Sequence, residues 1–122
     1  MEEVRINFET AKLAHEKGLP ILQSMGFVTR FYHPRTQSIF YLGRLGKMNM
    51  NDLYYIPTQS LLQKWLREIH NIDIESKGFR NAGDIKALYY QPLINGAIIN
   101  LNRFKTYEES LEKGLQEALS MI

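Results

Sequence analysis

A change of hydrophobic period between residues 57 and 75 constrains the fold of this chain more than any other feature. After Pro57, the residues Leu61, Leu62, Trp65, Leu66 and Ile69 recur at helical spacing, an apolar stripe about 100° wide, with Lys64, Arg67 and Glu68 outside it. Thr58 is placed to N-cap this helix, and the end is expected near His70 and Asn71. Ile72 and Ile74 then alternate with Asp73 and Glu75, which is the period of a half-buried strand. A helix that passes at once into a strand points to helices packed on short antiparallel strands.

The flanking text supplies the remaining elements. Asn7 is an N-cap residue with Glu9 in the first turn; the helix it opens includes Phe8, Ala11 and Ala14 and stops at Gly18, before Leu19-Pro20. FVTRFYH and SIFYL, on either side of residues 33–37, read as a β-hairpin, and residues 43–56 as a connecting loop. Residues 78–84 read as a turn and residues 85–90 as a strand that Pro92 breaks. Asn95-Gly96 is a hairpin turn dipeptide, with residues 97–104 as the next strand. Thr106 and Glu109 form a capping box for a last helix whose buried stripe is Tyr107, Leu111, Leu115, Ala118, Leu119 and Ile122. Gly114 weakens that helix by about 1 kcal/mol unless close packing offsets it. The expectation is one α+β domain over residues 1–122. It is a small two-layer domain, an antiparallel sheet with helices packed on it, in the order α-β-β-α-β-β-β-α.

Composition narrows the chemistry. There are 122 residues, enough for one domain with its own core, and no cysteine. The absence of cysteine excludes a disulfide scaffold, a thiol nucleophile and a zinc site with thiolate ligands. The polar, acidic start MEEVRINFE is not a secretory signal, and no run approaches a membrane span, so a cytoplasmic location is expected. His15, His33 and His70 share no metal-ligand spacing, no GxSxG elbow is present, and the paired carboxylates are helix neighbours. No catalytic residue, metal site or cofactor is predicted, and an enzyme is unsupported.

Two glycine and charge patterns call for weighing. Gly43-Arg44-Leu45-Gly46-Lys47 lacks the spacing and the hydroxyl of a phosphate-binding P-loop. It fits the GxxG of a KH domain only if helices flank it, and the preceding SIFYL reads as a strand. Residues 17–51 hold Lys17, Arg30, Arg35, Arg44 and Lys47 and no acidic residue, interleaved with Phe27, Phe31, Tyr32, Phe40 and Tyr41. Cations among aromatic platforms suit single-stranded nucleic acid. The candidate binding residues are therefore Arg30, Tyr32, Arg35, Tyr41, Arg44 and Lys47, set against the reading of a solvated edge hairpin. Residues 57–122 share the α-β-β-β-α order of a double-stranded-RNA-binding domain. Their eight basic and eight acidic residues, with Glu108, Glu109 and Glu112 opening the last helix, argue against duplex binding there.

Residues 57–74 (PTQSLLQKWLREIHNIDI) and 106–122 (TYEESLEKGLQEALSMI) resemble a family of short proteins encoded by phages and prophages of Bacteroidetes. The start, Asn7 to Ala14 with Glu16-Lys17-Gly18, is similar to that family's start. The resemblance implies a mobile-element origin and the cytoplasm of a bacterial host, and it brings no activity with it. The function expected is binding rather than catalysis, to a protein partner or a second copy. Nucleic acid through residues 27–47 is the alternative, a small enzyme with an unrecognised site is the second, and a membrane partner is not expected. The aromatic hairpin, with Arg30 as the one charge in its strands, suggests a homodimer.

Overall fold

The computed structural model describes residues 4–21, 29–41, 52–81, 84–99 and 102–122. The chain is α+β, and helices and strands follow the expected order with one further short strand before the second helix; the strands form two three-stranded antiparallel sheets rather than one. It divides into two compact units, Met1–Leu61 and Leu62–Ile122.

In the first unit, α1 spans Phe8–Glu16. The Asn7 side chain accepts from the Thr10 N–H at 2.9 Å, the expected cap. At the other end Gly18 has φ +83°, the Leu19 N–H donates to the Ala14 carbonyl and the Gly18 N–H to that of His15. This is the Schellman pair of bonds, and the left-handed residue it needs is glycine. Strands β1 (Arg30–Tyr32), β2 (Ile39–Tyr41) and β3 (Tyr54–Tyr55) form an antiparallel sheet in the order β2-β1-β3. The strand β3 lies in a stretch that reads as loop, because a two-residue strand leaves no period in the sequence. Phe31, Leu53 and Tyr55 form a buried cluster with Leu19 and Phe40 against it.

Helix α2 (Gln59–His70) starts at the end of the first unit, with the Leu61 N–H donating to Thr58 Oγ1 at 3.2 Å. Leu62, Trp65 and Leu66 are buried as expected, but Ile69 is 64% exposed. Ile69 lies in the last turn, the chain leaves the helix at Asn71 with φ +55°, and the ring of His70, 4.7 Å away, covers Trp65 instead.

In the second unit β4 (Ile74–Asn81) and β5 (Asp84–Ile94) make a long antiparallel hairpin. Most of residues 78–84 is therefore strand rather than turn. Pro92 does not break β5. It pairs with Ser76, and its carbonyl accepts from the Ile99 N–H on the opposite edge, so its missing N–H costs the β4 ladder nothing. The cost falls on the third strand. β6 is only Ala97–Ile98, stopping where Pro92 offers no donor, and pairing resumes at the mutual Tyr90–Phe104 bonds. Asn95 and Gly96 have φ +52° and +85°, as the predicted turn requires.

Helix α3 (Tyr107–Ser120) is capped by Thr106, whose Oγ1 accepts from the Glu109 N–H. Leu111, Leu115, Ala118 and Leu119 are buried. Tyr107, the first residue of the helix, and Ile122, beyond its end, are exposed. A Cβ on Gly114 would stand 2.9 Å from Ile74 Cγ2 and 3.1 Å from Pro92 Cβ, so the glycine is what lets α3 approach the hairpin.

Candidate functional site

Alternation along β1 and β2 sorts the first-unit residues. The register pairs Arg30 with Tyr41, Phe31 with Phe40 and Tyr32 with Ile39. Phe31, 1% exposed, points into the cluster described above, and Phe40 packs against it. Arg30, Tyr32, Ile39 and Tyr41 therefore share the other face. The structure brings three of the expected residues, Arg30, Tyr32 and Tyr41, to that face.

Their environments differ. The Arg30 guanidinium lies 5.3 Å from the centre of the Tyr41 ring, a cation–π contact across the strand pair. Arg30 Nε is buried and finds no hydrogen-bond partner among the described residues. Tyr41 is 39% and Ile39 50% exposed. Tyr32 is turned to structural use: its hydroxyl donates to the Ile6 carbonyl at 3.3 Å and its ring meets Phe8 edge-on. Arg35 is exposed in the connecting turn. In that turn His33 Nδ1 accepts from the Arg35 and Thr36 N–H groups at 3.2 and 3.3 Å, and Gln37 takes a left-handed φ of +59°. Arg44 and Lys47, with the GxxG motif and Phe27, lie outside the described residues.

Arg5 is a cation that the sequence patterns do not flag. Its Nη1 donates to the Ile56 carbonyl at 2.7 Å. Burial holds its guanidinium below the ordinary arginine value, the nearby Arg30 charge adds to the effect, and Tyr55 and Tyr41 oppose it. Arg5 and Arg30 thus raise the positive potential beside Tyr41.

A second group was also missed. On the β4–β5 hairpin, Ile74, Ser76, Pro92 and Ile94 lie on one face, with Gly114 of α3 against it. Lys77, Phe79, Tyr89 and Gln91 alternate onto the other. There the Phe79 and Tyr89 rings stack with centroids 5.7 Å apart and planes 19° from parallel. Lys77 Nζ lies 5.7 Å from the Phe79 ring centre and Arg103 Cζ 4.4 Å from that of Tyr89. Phe79 and Tyr89 are strand neighbours only through the register, so their spacing in the sequence gives no sign of the pair.

Among the described residues no group of three or more His, Asp or Glu side chains could hold a metal ion. No helix among them is long and apolar enough to cross a membrane. No family model, curated protein or solved structure matches the chain.

Proposed function

We propose that the chain is an interaction module of a phage or prophage, acting by binding in the host cytoplasm rather than by catalysis, and that its contact surface is strand β2. One observation supports this: among the described residues β2 is a terminal strand of its sheet, and it presents Ile39 and Tyr41 to solvent. A charge-free terminal strand with exposed apolar side chains is a template for pairing with another chain.

The partner that suits so short a strand is a second copy. Antiparallel pairing about a two-fold axis at Phe40 would set Ile39 of each copy beside Tyr41 of the other, a self-complementary contact. Light scattering at micromolar concentration tests it. The expected species has twice the 14.3 kDa chain mass, and Ile39→Lys with Tyr41→Lys returns it to the monomer. Both positions are exposed, so the substitutions leave the core intact, and circular dichroism checks the fold of each; Phe31 serves poorly as a probe because it is core. A 14.3 kDa species at every concentration would overturn the reading.

A second reading rests on the Arg30–Tyr41 contact in a segment without acidic residues, which suits single-stranded nucleic acid. Gel shifts at low salt with Arg30→Glu and Arg35→Glu decide it: binding that survives both changes places the contact elsewhere.

A further inference from the structure

We infer that the face of the β4–β5 hairpin opposite α3 binds single-stranded nucleic acid, with Phe79 and Tyr89 as the stacking platform and Lys77 and Arg103 as the phosphate contacts. The inference is independent of the β2 reading, since every residue it uses belongs to the second unit.

Three observations carry it. The first is the stacked ring pair, half-buried, toward the Asn81–Asp84 end of the β4–β5 ladder, on the face opposite the one whose Ile74 and Pro92 meet Gly114 of α3. Every nucleobase has a π-face, so such a platform accepts bases without reading sequence. The second is the cation over each ring. Lys77 and Arg103 are both exposed, and cation–π contacts at exposed sites are weak, on the order of 0.5–1 kcal/mol. A base that stacks on Phe79 can displace Lys77 from the ring to an adjacent phosphate, where its charge is neutralised.

The third is charge complementarity. Residues 77–105 carry five basic residues against Asp84 alone, and of these Lys77 and Arg103 stand over the two rings while Arg80 alternates onto the other face. Glu75 shares the face with Lys77 and bounds the patch at that end. The rings favour nucleic acid over an acidic peptide, which would meet the cations and leave the platform unused. A single strand is favoured over a duplex, whose bases are already stacked on one another. The acidic start of α3 also remains a barrier to duplex phosphates.

The test is fluorescence anisotropy of the full chain with fluorescein-labelled oligo-dT, oligo-U and a duplex of the same length. The wild type is expected to bind the single strands at low salt and the duplex more weakly. Lys77→Glu with Arg103→Glu is expected to weaken single-strand binding by about tenfold or more and to flatten the salt dependence, each lost phosphate contact removing about 0.7 from the slope. Phe79→Leu keeps every charge and is expected to weaken binding while leaving the salt slope unchanged. Lys12→Glu with Lys64→Glu, an equal change of charge at exposed positions of α1 and α2, is the control and leaves affinity within about twofold. Circular dichroism establishes that each variant folds, and Lys77→Gln with Arg103→Gln replaces the glutamate pair if it does not. No binding at low salt overturns the inference. So does a loss confined to Arg30→Glu with Arg35→Glu, or an equal loss in the Lys12/Lys64 pair, which would report total charge rather than this face.

Discussion

At the residue scale, burial decides which side chains matter. Trp65 is 8% exposed, between fully buried Leu62 and Leu66 in sequence order along α2. Trp65→Ala is expected to lower stability by about 3–5 kcal/mol, a large share of a typical 5–15 kcal/mol, measured by urea unfolding. Ser110 carries the opposite expectation. Its side chain is fully buried in α3 and its Oγ finds no partner among the described residues. A buried hydroxyl without a partner carries its desolvation penalty unrelieved. Ser110→Ala removes that penalty and adds helix propensity, so a stability gain of about 1 kcal/mol is expected in the same assay. A loss would mean that the hydroxyl is bonded after all.

At the element scale, the junction of α3 with the β4–β5 hairpin depends on Gly114. In an exposed helix Gly→Ala is worth about 1 kcal/mol in favour of alanine. Here the new Cβ would press on Ile74 and on the ring of Pro92, both buried. Overpacking of that kind costs about 1–3 kcal/mol, so Gly114→Ala is expected to lower the urea midpoint despite the better propensity. The same element shows where periodicity misleads. Tyr107 and Ile122 have the phase of the buried stripe but stand at the first position of α3 and beyond its last. Pro92 has the chemistry of a strand breaker, yet it occupies β5, because its nitrogen faces the edge where β6 ends.

At the scale of the whole molecule, the two units carry different charge. Residues 1–61 hold seven basic and five acidic side chains, while residues 62–122 hold eight of each. The excess in the first unit is gathered partly by Arg5 and Arg30 near Tyr41, and the balance in the second conceals the cationic stretch 77–105. Self-association through β2 also has a thermodynamic signature. Binding of a second copy to the folded chain makes Tm rise with protein concentration, and Ile39→Lys with Tyr41→Lys is expected to remove that dependence. What the sequence determined alone is the local part of the fold: the caps at Asn7, Thr58 and Thr106, the left-handed stop at Gly18, the Asn95-Gly96 turn and the α+β order. The caps, the stop and the turn rest on hydrogen bonds between residues a few positions apart, so the residue types carry the information. Only the tertiary structure decided that Phe31 is core while Tyr41 is surface, that Ile69 is left uncovered, and that Lys77, Phe79, Tyr89 and Arg103 meet. Those outcomes depend on strand register and on where one element ends over another, and both are set by packing between distant segments rather than by the composition of either.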